Sequence, residues 1–212
     1  MTVRSPFFVA EEVVSPLQCE DFVERLKHTS PNVDQQGNPT VTLKGNRLSE
    51  MRLMPYLHEN IFPRVQSYYN FELKSVTPFI FEWYPTGYSG GKAVCENARY
   101  VRKKGQGAGW TKVKDYDFTC VLFLNDYNDQ YPFDSYFETY GGKLEFPTHR
   151  FGFNPNRGTM IIFPCCPNFV NGISAVYNGN LNLVRFHLVA TEEYQYNPED
   201  FPGNYKEWFD DL

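Results

Sequence analysis

The amino-acid sequence predicts an α+β fold that is mainly β, in which two N-terminal helices precede about eight strands. Two patterns predict this fold. Apolar residues at helical spacing occur within the first 70 residues, whereas short apolar runs separated by turn residues occur from residue 72 onward. No helical segment separates the later strands, so we do not expect a parallel sheet. Antiparallel strands in this number usually close into a sandwich, a jelly roll or a barrel.

The first signals along the chain are those of a strand and a capped helix. The run FFV (7–9) is typical of a strand. The run SPLQ (15–18) combines an N-capping serine, a proline at the first helical position and a glutamine able to complete a capping box. We therefore expect a helix from this point to about Lys27.

A second helix is predicted for residues 49–68, after a polar segment at 31–47 that is typical of a surface loop or a short hairpin. Pro55 and Pro63 are expected to cap or kink this helix. Its apolar positions at helical spacing are Met54, Leu57, Ile61 and Val65. The predicted strands after this helix are 76–84, 94–101, 111–124, 142–147, 159–164, 173–177 and 182–190.

Length and composition predict a single domain that spans residues 1–212 and is large enough to have a hydrophobic core. We divide it into a strand-and-helix unit (1–70), a β core (71–190) and an acidic, aromatic tail (191–212). The aromatic content of 17% argues against disorder. The net charge of −5 offers no basic footprint, so we do not expect a nucleic-acid partner.

Neither a membrane partner nor secretion is expected. No apolar run is long enough to cross a bilayer, and the start MTVRSPFFVAEE lacks the features of a signal peptide. The five cysteines are odd in number and scattered, which favours free, mostly buried thiols in a reducing, cytoplasmic setting. They are Cys19, Cys95, Cys120, Cys165 and Cys166.

Four segments occur in an order that is similar to one large enzyme family. They are FEWYPTG (81–87), DFTCVLFLN (117–125), GGKLEF (141–146), and NP (154–155) continuing into GTMIIFP (158–164). Together they resemble the iron(II)/2-oxoglutarate-dependent dioxygenases, especially the prolyl-4-hydroxylase-like branch. The resemblance implies a double-stranded β-helix, or jelly roll, with the two N-terminal helices packed on one sheet.

The resemblance also implies an iron site that this sequence does not carry. In the family, iron(II) is held by a His-x-Asp pair and a later histidine. The matching positions here are Cys95, Asn97 and Asn171. The histidines are His28, His58, His149 and His187, so none lies at residues 59–148 or 150–186. We expect a degenerate member of the family without bound iron.

The 2-oxoglutarate position is altered as well. The family's carboxylate-binding basic residue falls at Leu181, and Arg185, on the same face of the strand, could be a displaced substitute. A tyrosine that often assists is replaced by Phe123. We therefore expect no cofactor, with iron(II) and 2-oxoglutarate as the alternative.

Three side chains are expected to fill the former pocket through hydrogen bonds and packing, namely Cys95, Asn97 and Asn171. A thiol and two amides are a poor ligand set, and an alternative metal such as copper(I) or zinc is the weaker interpretation. Glu96 is expected to point away from the barrel unless a bulge rotates it inward.

Four further features each have two interpretations. Arg185 and His187 form either a core pair neutralised by Glu82 or Glu145, or an acid/base pair. His149 is expected to be exposed in a turn. Cys165 and Cys166 are expected to line the pocket, with a redox role as the alternative. The Gly-rich basic stretch 103–109 is a hairpin loop suited to contact with another chain, rather than a phosphate site.

Two segments are predicted to contact other proteins. The loop 126–139 is rich in aromatic residues, which either form an interface or pack over the barrel mouth; it lacks the spacing of a calcium loop. The tail 191–212 mixes acidic residues with rings that should not stay in water, so it packs either along the domain or against a partner.

The predicted function is that of a non-catalytic structural or assembly component. Because relatives in this oxygenase family include phage-encoded ones that lie among virion genes, a phage virion is the expected setting, with the host cytoplasm as the other location. The alternatives are an active 2-oxoglutarate/iron(II) oxygenase of the prolyl-hydroxylase type with substitute ligands, and a metal-free small-molecule binder.

Overall fold

The largest β-sheet carries apolar side chains on both of its faces, and two layers cover them. The computed structural model describes residues 5–27, 32–33, 39–44, 47–103, 107–130 and 137–192. Helices cover one face of this sheet, and a three-stranded sheet covers the other. This arrangement confirms the predicted mainly β jelly roll, the double-stranded β-helix, with two helical units packed on one sheet.

The described residues form three α-helices and fifteen strands. The helices are α1 (Pro16–Lys27), α2 (Arg47–Tyr56) and α3 (Phe62–Tyr69). The strands are β1 (Phe8–Ala10), β2 (Asn32–Val33), β3 (Pro39–Lys44), β4 (Leu73–Val76), β5 (Ile80–Pro85), β6 (Ala98–Lys103), β7 (Gly107–Lys112), β8 (Phe118–Phe123), β9 (Asp126–Tyr127), β10 (Glu138–Gly141), β11 (Leu144–Phe146), β12 (Phe151–Phe153), β13 (Met160–Pro164), β14 (Gly172–Ile173) and β15 (Val176–Ala190).

Strand β15 organises the large sheet, which has the order β1-β13-β8-β15-β5-β3-β2. It is fifteen residues long and also pairs with β4 and β10. The small sheet has the order β12-β11-β14, and β6 and β7 pair with each other as a separate hairpin. None of the helices within the described ranges is long and apolar enough to cross a membrane.

The two helical units begin and bend as the sequence predicts. Ser15 N–H donates to Gln18 Oε1 at 2.8 Å, and Gln18 N–H donates to Ser15 Oγ at 3.3 Å, which completes the capping box. In the second unit a π-helical turn at Leu57–Ile61 joins α2 to α3. Pro55 and Pro63 lie on either side of this turn, and neither has an N–H for the regular α-helical ladder.

Two hydrophobic cores result from the alternation of side chains along the strands. The first core lies between the helices and the large sheet, and includes Phe22, Leu57, Phe62, Val65, Phe118, Leu122, Phe186 and Leu188. The second lies between the large and small sheets, inside the barrel, and includes Phe7, Val121, Phe123, Leu144, Phe146, Ile161, Phe163 and Leu183. Burial of each such side chain stabilises the fold by about 1.5–3 kcal/mol.

Gly141 lets the chain pass from the large sheet to the small one. Its φ is +85°, and a Cβ atom there would collide with the carbonyl oxygen of Ala175. The pairing register between β10 and β15 shifts between Tyr140 and Gly141. A glycine is therefore required for both the backbone conformation and the close approach.

Several predicted strand boundaries are wrong. Residues 94–97 form a single bridge, from Val94 to Asn171, followed by a bend, and β6 begins only at Ala98. The predicted strand 111–124 is split between the end of β7 and β8, with irregular backbone at 113–117. The predicted strands 173–177 and 182–190 become β14 and one continuous β15. Residues 31–47 were predicted to form a surface loop or a short hairpin, and they contain the β2–β3 hairpin.

We predict that Phe7→Ala destabilises the protein by about 3–5 kcal/mol, because it leaves a cavity in the second core. The Phe7 ring is 6% exposed and packs on Phe146 and Phe153 at centroid distances of 4.8 and 5.1 Å. Urea unfolding measures the loss. Leu17→Ala is the control, since Leu17 is 74% exposed, and it should change the free energy of unfolding by less than about 0.5 kcal/mol. Equal effects of the two variants would contradict the assignment of this core.

Candidate functional site

The interior of the barrel is apolar at one end and polar at the other. On β15 the interior positions run from Leu181 and Leu183 in the second core to Arg185 and His187. Arg185 is 7% exposed and His187 is 4% exposed. Arg185 therefore shares the face of Leu181, as its spacing along the strand requires, and lies in the interior.

Arg185 is held by two carboxylates. Its Nε donates to Glu82 Oε1 and Oε2 at 3.0 and 3.2 Å. Its Nη1 donates to Glu96 Oε1 at 2.9 Å and to Asn171 Oδ1 at 3.2 Å. Tyr84 donates its hydroxyl to Glu82 Oε2 at 2.9 Å. These five residues, Arg185, Glu82, Glu96, Asn171 and Tyr84, form what we term the arginine network.

Glu96 belongs to this network, so the exception that the sequence allowed applies: irregular backbone turns Glu96 inward, and it does not point away from the barrel. Its side chain is 14% exposed, and Asn171 Nδ2 donates to both of its oxygens at 3.1 Å. The cause is the bend after the Val94–Asn171 bridge. Because the backbone at 95–97 is not a regular strand, successive side chains do not alternate between faces, and Cys95, Glu96 and Asn97 all turn inward.

Cys95 and Asn97 bond to each other and to the backbone. Cys95 Sγ donates to Asn97 Oδ1 at 3.1 Å. Asn97 Nδ2 donates to the carbonyl oxygens of Tyr116, at 2.9 Å, and of Cys165. Cys95 and Asn97 are buried, and Asn171 is 1% exposed. The three side chains are thus committed to hydrogen bonds within the protein.

Burial and charge pairing set the protonation of the site. Burial raises the pKa of Glu96, against the opposing effect of the Arg185 guanidinium. Burial opposes the charge of Arg185, but the carboxylates of Glu82 and Glu96 outweigh it and raise the pKa of Arg185. Burial also raises the pKa of the Cys95 thiol to about 11. At neutral pH the site therefore contains a fixed cation and a protonated thiol.

His187 is buried without a charge. Its ring stacks on Tyr116 at a centroid distance of 4.1 Å and an interplanar angle of 18°. Its Nδ1 has no hydrogen-bond partner among the described residues. Burial, together with the charges of Arg185 and Lys114, lowers the pKa of His187 to about 3. Arg185 is neutralised by Glu82 as predicted but also by Glu96, whereas Glu145 is exposed.

His149 is buried, which corrects the expectation that it is exposed. It is 4% exposed, its Nε2 lies 2.6 Å from the carbonyl oxygen of Asn168, and its ring centroid is 5.3 Å from that of Phe169. The turn at 147–150 folds onto the short 3₁₀ turn Pro167–Phe169, a contact between distant segments. Burial lowers the pKa of His149.

Cys165 and Cys166 are near the arginine network, as predicted. Cys165 is buried and Cys166 half-buried, and both are free thiols. Burial raises the pKa of Cys165 well above its usual value and that of Cys166 to about 12. Thiolate is the reactive form of cysteine, so this environment does not favour the alternative redox role.

The donor set does not fit iron(II). The oxygen atoms that could bind a cation, those of Glu82, Glu96 and Asn171, already accept hydrogen bonds from Arg185. Cys95 is a protonated thiol, and no group of three or more His, Cys, Asp or Glu in the described part of the chain could hold a metal ion. A second cation beside a buried guanidinium would also be repelled.

The same contacts limit the possible role of Arg185 towards 2-oxoglutarate. Its Nε and Nη1 groups are directed at Glu82 and Glu96, so a further carboxylate would have either to displace one of these anions or to share the guanidinium with both through Nη2. From the sequence, Arg185 was expected on the same face as Leu181, with Glu82 as a possible partner. The role of Tyr84 was not expected, although Glu82 and Tyr84 are two residues apart on β5 and hence share its interior face.

The predicted contact regions are described in part. In 126–139, residues 131–136 lie outside the described residues, and so does most of the tail, from residue 193. Phe137 packs against the first core. Tyr127 approaches Tyr140 at 6.4 Å, and Tyr140 approaches the 64% exposed Tyr177 at 5.6 Å. Of the Gly-rich stretch 103–109, residues 104–106 are outside the described residues.

Known protein structures resemble this one over most of its length. A collagen prolyl hydroxylase of Paramecium bursaria Chlorella virus-1, in its 2-oxoglutarate complex, superposes with a TM-score of 0.64 at 12% identity, covering 89% of this chain and 97% of that one. A prolyl-4-hydroxylase of Pseudomonas putida gives 0.58 at 11% identity, covering 88% and 94%. A Trichoplax adhaerens prolyl hydroxylase, in complex with a hypoxia-inducible-factor peptide fragment, gives 0.61 at 11% identity, covering 89% and 85%.

This chain has the fold of the prolyl-4-hydroxylase-like oxygenases. Identities of 11–12% establish the fold and leave activity open. No protein-family model matches the sequence, and neither does any curated protein sequence. The oxygenase fold is therefore recognised by the path of the backbone, while the interior of the barrel carries the arginine network.

We predict that Arg185→Met destabilises the protein by about 3–5 kcal/mol at pH 7.5, because Glu82 and Glu96 are left buried without a counter-charge. The loss should diminish as the pH falls, since burial raises the pKa of Glu96 and protonation removes its unpaired negative charge. Urea unfolding at pH 5.0 and 7.5 measures both effects. Combining Arg185→Met with Glu82→Gln and Glu96→Gln should restore much of the stability. A loss that does not depend on pH would contradict the pairing.

We predict that the free energy of unfolding falls as the pH drops below 6.5, in part because of His187. The folded state keeps His187 neutral down to about pH 3, whereas the unfolded chain protonates it near 6.5. The unfolded state thus binds more protons in this range, and low pH favours unfolding.

The variant His187→Phe isolates this effect because it keeps a ring against Tyr116. The free energy of unfolding of this variant, relative to that of wild type, should rise by about 2–3 kcal/mol when the pH is lowered from 7.5 to 4.5. Urea unfolding at the two pH values measures the change. His58→Phe is the control, since His58 is exposed. Parallel pH curves for wild type and His187→Phe would show that His187 is not buried as a neutral base.

Proposed function

We propose that this protein is a non-catalytic member of the oxygenase fold that acts as a structural or assembly component. The arginine network is the observation that carries the proposal. It places a permanent guanidinium in the polar end of the barrel and directs three oxygen-bearing side chains at it. The interior is organised for internal pairing, and such pairing stabilises a fold without providing open ligand positions.

Surface aromatic residues support a role in protein contacts. Tyr127, within the loop 126–139, is near Tyr140, and Tyr140 is near Tyr177; the first two are half-buried and Tyr177 is 64% exposed. Tyrosine is enriched at protein interfaces because its ring supplies contact area and its hydroxyl a hydrogen bond. We propose that this region and the tail 191–212 contact other subunits, and that the assembly is a phage virion. The setting rests on the resemblance to phage-encoded relatives.

A second candidate function is that of an active 2-oxoglutarate-dependent oxygenase of the prolyl-hydroxylase type. It is favoured by the similarity to prolyl hydroxylases over 85–97% of their chains. This candidate requires substitute ligands, and 2-oxoglutarate would have to displace Glu82 or Glu96 from Arg185 or share Arg185 with both. A metal-free binder of 2-oxoglutarate meets the same competition but requires no iron.

One experiment separates the three functions. Purified full-length protein is incubated aerobically with ferrous iron and 2-oxoglutarate, and bound iron and succinate are measured, with the Chlorella virus prolyl hydroxylase as the positive control. We expect no stoichiometric iron and no succinate above the protein-free blank. Stoichiometric iron with succinate formation would establish the oxygenase. Saturable 2-oxoglutarate binding by calorimetry without iron would establish the binder. Iron with succinate formation would refute the non-catalytic role, and metal-free binding would favour the small-molecule binder over the assembly component.

A further inference from the structure

The β6–β7 hairpin carries the densest group of exposed apolar side chains in the described part of the chain. Tyr100 is 62% exposed, Trp110 44%, Val113 48% and Val101 36%. Tyr100 lies directly opposite Trp110 in the hairpin, and their rings meet at 5.6 Å with an interplanar angle of 72°. The exposure of two large neighbouring rings marks a binding surface.

The same hairpin is basic. From residue 98 to residue 114 the sequence has no acidic residue, and its strands carry Arg99, Arg102, Lys103 and Lys112. Arg99 is exposed, as is Lys114, which comes after β7 and lies over the Tyr116 ring at 5.1 Å. Lys112 pairs with Asp115 at 3.7 Å, but Asp115 is 92% exposed, and such a surface pair contributes little. An anionic segment with aromatic residues would complement this face.

The C-terminal tail is such a segment. Residues 193–212 contain six acidic residues and one lysine, which accounts for the entire net charge of −5, so that the rest of the chain is neutral. Its acidic residues are Glu193, Glu199, Asp200, Glu207, Asp210 and Asp211, and its rings are Tyr194, Tyr196, Phe201, Tyr205, Trp208 and Phe209. Rings and carboxylates are the groups that pack on exposed aromatic rings and pair with arginine and lysine.

The tail leaves the barrel next to the base of the hairpin. Ala190 N–H donates to Asp117 Oδ2 at 2.7 Å, and Asp117 N–H donates to the carbonyl oxygen of Leu188 at 2.9 Å. The hairpin closes at Val113, whose N–H donates to the carbonyl oxygen of Asn97 at 2.7 Å. Only residues 114–116 separate this closure from Asp117, and a twenty-residue segment can extend up to about 70 Å.

We propose that residues 193–212 dock on the face of the β6–β7 hairpin formed by Tyr100, Trp110 and the surrounding basic residues of the same chain. Attachment beside the hairpin gives the tail an effective concentration in the millimolar range, which favours the intramolecular contact over one with a second copy. The interaction combines burial of rings with charge pairing, and its ionic part is screened by salt. The docking describes the tail in the isolated chain, whereas the subunit contact of the tail in the proposed function applies to the assembly. Neither depends on the outcome of the iron and succinate assay.

Zero-length carbodiimide cross-linking of full-length protein tests which segments meet and whether they belong to one chain. An equal mixture of ¹⁵N-labelled and unlabelled protein is cross-linked and analysed by mass spectrometry. We expect links between tail carboxylates and Lys103, Lys112 or Lys114 within isotopically uniform chains. Links only between labelled and unlabelled chains would assign the hairpin to the tail of a second copy and overturn the proposal. Links of the tail only to lysines outside the hairpin would also overturn it.

Hydrogen–deuterium exchange supplies a readout in variants of the full chain. The double change Tyr100→Ser and Trp110→Ser should speed exchange of tail amides at least tenfold, and so should raising sodium chloride from 50 to 500 mM in wild type. Tyr56→Ser is the matched control, since Tyr56 is 41% exposed at the end of helix α2, and it should leave the tail unchanged. Circular dichroism confirms that each variant is folded.

A second variant covers the case in which the hairpin change unfolds the protein. The change Trp208→Ser with Phe209→Ser leaves every described residue intact and should speed exchange in β6 and β7 instead. Tail amides that exchange at the unprotected rate in wild type, at 50 mM salt, would refute the docking.

Discussion

The interior of the barrel depends on one buried cation shared by two carboxylates. Arg185 lies on β15, Glu82 on the neighbouring strand β5, and Glu96 on a bend that reaches the site from outside the large sheet. Because each charge is costly to bury alone, the three groups stabilise the fold only together. The network therefore helps to fix the irregular segment 94–98, together with the Val94–Asn171 bridge and the hydrogen bonds of Asn97 to Tyr116, Cys165 and Val113.

The same constraint accounts for the composition of the polar end of the barrel. A barrel interior that has a polar end must neutralise whatever charge it contains, by a bound ion or by a side chain. Here the guanidinium is that cation, and it is covalently part of the protein. Its planar geometry suits two carboxylates at once, since Nε faces Glu82 and Nη1 faces Glu96. Lysine offers one point charge and would not satisfy both.

The sequence predicted the features that depend on local pattern and failed where distant segments meet. Capping of α1 and the interior face of Arg185 depend on spacings of a few residues, and both agree with the structure. The burial of His149 depends on a turn at residues 167–169, and that of Glu96 on a bend, neither of which has a sequence period. Asn178-Gly179 has the composition of a turn, yet β15 continues through it because β10 pairs along one edge and β5 along the other near this point.

The net charge of the chain says little about its partners, and the reason is physical. A sum over the chain treats charges as if they acted at one point, whereas screening limits their action to about 8–10 Å in physiological salt. The negative sum gives no sign of the basic hairpin. The exposed strand positions 99–101 of that hairpin carry a basic, an aromatic and an aliphatic side chain. The acidic tail and the basic hairpin both carry aromatic rings, and they join the barrel close to each other in space. Two surfaces of opposite charge in this arrangement are expected to cover each other. The value of −5 is thus the net charge of the tail. The kinds of partner that the protein can bind therefore depend on whether the tail is docked.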